Sequence, residues 1–212
     1  MGRARFVSLE GGEGSGKTNH SRRLAEWLKA GGHEVVLTRE PGGTPGAEEI
    51  RKLLVQGDAA RWEPMTEALL HFAARRDHVA KVIRPALARG AWVVSDRFAD
   101  STMAYQGYGH GLGPEPIALL AKLVLGDFAP GLTLLFDVPA ELGLQRAGKR
   151  QTGDARYESM GGAFHARVRE GFLAIARSEP ERVVVIDSSK PVEDVAAAVQ
   201  AAMRTHFSDV LR

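Results

Sequence analysis

Phe6-Val7-Ser8-Leu9-Glu10-Gly11-Gly12-Glu13-Gly14-Ser15-Gly16-Lys17-Thr18 decides how this chain is read. Its opening residues form an apolar, strand-like segment. The rest fills the spacing G-x-x-x-x-G-K-[ST] that wraps backbone amides around phosphates. Directly after it, from Ser21 to Leu28, Leu24, Trp27 and Leu28 recur at helical spacing. Strand, glycine loop and helix in that order give the pattern a mechanism. Amide N–H groups left unpaired at a helix start, together with the helix dipole, favour an anion there. Lys17 adds a point charge at the outer phosphates, and the Thr18 hydroxyl offers a ligand for Mg²⁺. Gly11, Gly12, Glu13, Gly14, Ser15 and Gly16 supply the cradle between them.

Outward from this stretch, short apolar runs alternate with longer helical patterns. The strand-like runs after the first are Glu34–Thr38, Ala91–Ser95, Leu132–Phe136 and Arg182–Ile186. Each is almost continuously apolar, and most are rich in Val, as in strands buried on both faces of a parallel sheet. Helical patterns separate them over Glu67–Leu87, Pro116–Leu125, Ala140–Ala147, Ala163–Arg177 and Val192–Met203. The alternation predicts an α/β fold, a doubly wound five-stranded parallel sheet with helices on both faces. Ligands of such sheets bind beyond the C-terminal strand ends. No repeat, low-complexity tract or linker interrupts residues 1–212, so a single domain is expected.

Composition narrows the classes. A length of 212 residues leaves room for a sizeable core, and the net charge of +2 gives no general field for nucleic acid. The absence of cysteine rules out disulfides and thiolate metal sites. The seven His show no metal-ligand spacing. No run approaches the roughly 20 apolar residues of a membrane span. No signal-like run precedes the first strand, so a cytoplasmic location is expected.

The strand ends carry the chemistry. Asp96 closes the third apolar run and continues into Arg97: an acid that can hold Mg²⁺ through its water shell, then a guanidinium that can clamp a phosphate. Asp137, followed by Val138-Pro139, reads rather as a turn or helix-start residue. Thr38-Arg39-Glu40-Pro41-Gly42-Gly43-Thr44 is a shaped loop bearing a second phosphate clamp, Arg39. Arg146-Ala147-Gly148-Lys149-Arg150, the polar segment Gln151–Asp154 and Arg156 read as a short flexible lid over about 147–157. These cations exceed what ATP alone needs and imply a second phosphate-bearing substrate. No Asn-Lys-x-Asp motif for guanine is present, which disfavours a guanine-nucleotide switch.

In its phosphate loop, Thr38–Thr44, Ala73-Ala74-Arg75, Ile83–Leu87, Asp96-Arg97-Phe98, Ser101–Gly107 and Leu134–Val138, the chain resembles bacterial thymidylate kinases from end to end. They are nucleoside monophosphate kinases of the P-loop NTPase type. The resemblance implies transfer of the γ-phosphoryl of ATP to dTMP, giving dTDP and ADP with Mg²⁺, in a homodimer without nucleic-acid or membrane partners. It implies that Lys17, Glu13, Asp96, Arg97 and the lid residues Arg150 and Arg156 serve catalysis. Thr18 and Asp96 would hold Mg²⁺, and Arg146, Lys190 and Pro191 would flank the donor nucleotide. Glu13, Arg39, Pro41, Arg75, Arg97, Ser101, Thr102, Tyr105 and Gln106 would surround the acceptor. Some members carry an Arg inside the phosphate loop where this chain has Gly14; its lid cations fit the alternative arrangement. For the aromatic that stacks on the base, His71 has the family spacing relative to Arg75, whereas Phe72 is the better apolar plate. The reading leans to Phe72, with a local irregularity in its helix. An alternative is a related kinase of another nucleoside or monophosphate; a non-catalytic nucleotide switch is a third reading.

Overall fold

The computed structural model describes residues 4–58, 60–148 and 155–211. Among these, five strands form one all-parallel sheet: β1 (Phe6–Glu10), β2 (Val35–Arg39), β3 (Trp92–Asp96), β4 (Leu132–Asp137) and β5 (Val183–Asp187). Each lies within a residue or so of the run that predicts it. The spatial order is β2-β3-β1-β4-β5, so β1 is central, flanked by β3 and β4. Its register pairs Leu9 with Asp96 and Glu10 with Leu135. The strand order therefore switches direction at β1, and the crevice beyond its C-terminal end is where such sheets take ligands.

The helices are α1 (Lys17–Ala30), α2 (Pro45–Val55), α3 (Pro64–His78), α4 (Arg84–Ala88), α5 (Ala99–Thr102) and α6 (Pro114–Leu125), then α7 (Ala140–Ala147), α8 (Ala155–Glu158), α9 (Gly162–Ser178) and α10 (Val192–His206). Alternate strand residues point to opposite faces. Val7 and Leu9 join Leu24 and Leu28 of α1 and Val195, Val199 and Met203 of α10 in one buried layer. Phe6 and Val93 face the other way, onto Ala68 and Phe72 of α3 and Ile117 of α6. Both faces are covered, which is why the strands read as continuous apolar runs.

Two helical stretches are widened into π turns. The segment predicted as one helix over Glu67–Leu87 is α3, a π segment over Val79–Ile83, and α4. The amide of Arg84 bonds to the carbonyl of Val79, five residues back. Pro85 explains this: its ring has no N–H and collides with the carbonyl four residues earlier, so the turn before it opens. A second π segment, Met103–Gly109, follows α5 and packs against α9, where Gly109 and Gly171 let backbones approach Phe164 and Tyr108. It carries Tyr105 and Gln106 into the protein, both buried.

Candidate active site

The phosphate loop runs from the end of β1 into α1. Gly16, with φ 88, sits at the N-cap of α1, leaving the first helical amides turned toward the loop. Lys17 is buried and folds back over the loop, its Nζ 2.6 Å from the Gly12 carbonyl and 3.0 Å from Ser15 Oγ. Burial foremost, reinforced by Arg97, pulls its ammonium down to about 8. Gly14 has φ 66, and a Cβ there would collide with the Gly143 carbonyl of α7. A side chain at this position would require the loop or α7 to shift.

On the far side of the loop, Ser188 Oγ donates to the Ser15 carbonyl at 2.5 Å. Arg146 donates to the carbonyls of Ser188 and Ser189 at 2.8 and 3.3 Å. The loop after β5 is thus tied to the phosphate loop and to α7, with exposed Lys190 and Pro191 at the start of α10.

At the tip of β3, Asp96 Oδ2 accepts from Thr18 Oγ1 at 2.5 Å. The two oxygens expected to serve a metal are therefore adjacent. Both are hard oxygen donors, and among the described residues no cluster of three His, Asp or Glu competes with them. That donor set fits Mg²⁺, which takes one or two protein oxygens and completes its shell with water and phosphate.

Next in sequence, Arg97 adopts a left-handed backbone, φ 72, which costs a non-glycine residue about 1–2 kcal/mol. The turn points its guanidinium back across the β1 end. Nη1 donates to the Gly11 carbonyl (3.0 Å) and Ser101 Oγ (3.1 Å); Nη2 donates to Glu13 Oε1 (2.8 Å) and the Tyr105 hydroxyl (3.1 Å). Tyr105 in turn donates to the same Glu13 oxygen at 2.7 Å. Burial alone would raise the Glu13 carboxyl, but Arg97, Lys17 and the Tyr105 hydroxyl outweigh it and hold it below the usual carboxylate range. Arg97, likewise opposed by burial, is kept charged by Tyr105, Glu13 and Asp96.

This cluster forms one wall of a half-open cleft lined also by Glu40, Pro41, Arg51, Val55, His71, Ser101, Gln106 and Tyr157. Of the residues expected around the acceptor, Glu13, Pro41, Arg97, Ser101, Tyr105 and Gln106 meet here. Arg75 and Thr102 lie just behind the wall. Buried Arg75 donates to Glu40 Oε2 (2.7 Å), Thr102 Oγ1 (3.0 Å) and the Phe98 carbonyl (3.0 Å).

Three expectations need correction. Phe72 is not a plate in the cleft. It is 1% exposed, packed in the core beneath the guanidinium of Arg75. Residues 64–78 form a regular helix without the expected irregularity, so the i, i+4 spacing prevails and His71 faces the cleft. Arg39 ends β2 with an exposed side chain hydrogen-bonded to Glu48 at 3.0 Å, and it does not line the cleft. Arg156, expected to reach the transferring group, has a fully buried guanidinium paired with Glu67 and hydrogen-bonded to the carbonyls of Leu54 and Asp58. Its environment offers fixed acceptors that outcompete water, so it anchors the base of α8. Arg150, the other lid candidate, lies outside the described residues.

Sequence reasoning also passed over Arg51, Tyr157 and Glu10. Arg51 donates to the Pro41 carbonyl at 2.9 Å. Its signal was legible: between buried Ala47 and Leu54, at i+4 and i+7, it is a cation on the apolar stripe of α2. Tyr157 donates to Glu67 at 3.0 Å and accepts from His71 Nε2 at 2.9 Å. Glu10, at the end of β1, is fully buried; burial first, then the charge of Asp100, pushes its carboxyl up to about 7. Asp137 serves structure, held by a two-pronged pair with Arg169 at 2.7 and 2.8 Å.

The comparisons agree with this geometry. The thymidylate kinase family model matches residues 9–199. A thymidylate kinase of Caulobacter vibrioides is 60% identical over 194 residues, 92% of this chain and 93% of that relative. One from Dinoroseobacter shibae is 51% identical over 197 residues, covering 93% and 95%. The crystal structure of thymidylate kinase from Ehrlichia chaffeensis superposes with a TM-score of 0.75 at 38% identity, covering 94% of this chain and 97% of that one. Sequence, fold and relatives converge: this chain belongs to the thymidylate kinase family.

Proposed function

We propose that this enzyme transfers the γ-phosphoryl group of ATP to the phosphate of dTMP, giving ADP and dTDP. The observation that carries the reading is Arg97, a fixed cation bonded at once to the phosphate-loop carbonyl of Gly11 and to the wall of the adjacent cleft. A triphosphate tail in the loop and a monophosphate in the cleft would meet beneath it. Phosphoryl transfer needs in-line positioning and charge stabilisation more than covalent help. The loop amides and Lys17 orient the donor. Arg97, with Arg51 across the cleft, holds the acceptor phosphate. Glu13 and Tyr105 fix the Arg97 fork, and Glu13 is placed to meet the acceptor sugar. His71, Gln106 and Tyr157 form the end that takes the base, and the loop at Ser188–Pro191 flanks the donor base. Thr18 and Asp96 would hold Mg²⁺, which when bound neutralises charge on the outer phosphates.

A coupled ADP-release assay with dTMP, dUMP, CMP, AMP and GMP tests the reading. dTMP should be phosphorylated far faster than the others, and equal rates on all five would reject it. Arg97→Ala should lower kcat/KM for dTMP by roughly 10²-fold, the loss of one strong electrostatic stabiliser.

The enzyme is also proposed to work as a cytoplasmic homodimer. Leu119 and Leu123 share a face of α6 and are 73% and 82% exposed; Leu69 of the adjoining α3 is 50% exposed. A second copy covering this face accounts for them. Light scattering should give twice the chain mass, reduced to one chain mass by Leu123→Glu. No described helix is long and apolar enough to cross a membrane.

A further inference from the structure

We propose that Glu10 is a positioning residue that sets the aim of Arg97 through the Ser101 hydroxyl, and so governs how the acceptor phosphate is held. The proposal rests on the reading of Arg97 given above. Glu10 ends β1 and has no exposed surface, yet it contacts neither the phosphate loop's Lys17 nor the cleft. Its carboxylate is divided between two donors that follow Arg97 in the chain. Oε1 accepts the Phe98 amide at 2.7 Å, and Oε2 accepts Ser101 Oγ at 2.6 Å. Ser101 Oγ, its proton committed to Glu10, presents its lone pair to Arg97 Nη1 at 3.1 Å.

The arrangement does two things. The Phe98 bond pins the residue immediately after the left-handed Arg97, a backbone state that a non-glycine residue keeps only when its surroundings impose it. The Ser101 bond fixes the rotor of a hydroxyl that would otherwise be able to offer its proton, rather than its lone pair, to the guanidinium. Asp100, between the two bonded residues, pairs with Arg182 at 2.8 and 3.1 Å, so α5 is held by Arg182 as well as by Glu10. A buried carboxylate is costly unless its hydrogen bonds are made. One whose hydrogen bonds both go to the turn carrying the key cation has a role through that turn.

Glu10→Gln tests this, because the amide keeps the shape but can accept from only one of the two donors. We expect kcat/KM for dTMP to fall by about 10-fold or more, as misplacement of a positioning group does, while KM for ATP changes less than about threefold. Ser101→Ala should reproduce that dTMP-specific loss. The double variant should be no worse than the poorer single, because coupled groups in one chain of contacts are not additive. Should Glu10→Gln fail to fold, Glu10→Asp, which keeps both acceptor oxygens but shortens their reach, takes its place, and unchanged dTMP kinetics in it would overturn the proposal. Unchanged dTMP kinetics in Ser101→Ala, multiplicative losses in the double variant, or equal damage to the ATP and dTMP parameters would each overturn the proposal. Arg97→Ala separates the two levels. If it loses dTMP activity while Glu10→Gln and Ser101→Ala do not, only the Glu10 inference falls. If Arg97→Ala is also silent, the reading of Arg97 falls with it.

Discussion

His71 and Phe72 are neighbours in sequence with opposite fates, and a helix turn of about 100° is the whole reason. Phe72 is buried in the layer beneath β1 and β3, and His71 meets the cleft and the hydroxyl of Tyr157. Phe72→Ala should therefore cost about 3–5 kcal/mol of stability in urea unfolding, the usual penalty for emptying an aromatic core site. At temperatures where it remains folded, its KM for dTMP should be close to that of the parent. His71→Ala should behave in reverse, with the acceptor KM raised and the unfolding midpoint nearly unchanged at neutral pH. If Phe72→Ala instead alters the acceptor KM without loss of stability, the assignment of the two faces is wrong. Spacing pointed to His71 and chemical suitability to Phe72; helical geometry is the stronger constraint, since nothing in Pro64–His78 breaks its regularity. Arg39 fails for another reason. A strand-end position can be read from sequence, but the partner across the loop, Glu48, cannot.

At the scale of elements, what was legible is what repeats locally. The five strands and the phosphate loop announce themselves by apolar runs and glycine spacing. The short helices α2 and α5 lie outside the helical patterns read from the sequence, and the π segment over Met103–Gly109 packs against α9. The loop itself yields a contrast between two of its glycines. Gly14 needs φ 66 and abuts the Gly143 carbonyl, whereas at Gly12 a Cβ would meet nothing within 4 Å. Gly14→Ala should push α7 away from the loop and cut kcat/KM for ATP by 10-fold or more, an estimate from the cost of a displaced positioning group. Gly12→Ala should stay within about threefold of the parent, because it adds a methyl in open space. Equal tolerance at both positions would mean that the loop and α7 are not in contact during turnover.

Across the whole molecule, the base end of the cleft is closed by residues drawn from distant elements onto one buried carboxylate. Glu67 of α3 accepts from Gln106 at 2.7 Å and from Tyr157 at 3.0 Å, and it pairs with Arg156 of α8. Tyr157 spends its proton on Glu67, so His71 must donate Nε2–H to it. Burial and then Arg75 pull the His71 imidazole down to about 3. Glu67, which burial alone would raise, is taken down to about 2 by His110, His71 and Arg156. For both groups the unfolded chain binds a proton more readily than the folded one, so acid favours unfolding. The windows differ. The His71 contribution is complete above its unfolded value near 6.5 and declines as pH falls toward 3. The Glu67 contribution begins to decline only below about 4.5. Between pH 6.5 and 5, of these two groups only His71 acts, at up to about 1.4 kcal/mol per pH unit. His71 is partly exposed, and solvent reduces that to about 1 kcal/mol over the interval. His71→Phe removes this proton site while leaving the Tyr157–Glu67 bond in place. Its stability lead over, or deficit against, the parent should therefore shift in its own favour by about that amount when urea midpoints are compared at pH 6.5 and pH 5. A difference between the two proteins that stays constant across that interval would mean that His71 titrates as it does in the unfolded chain, and that burial and Arg75 do not hold it neutral.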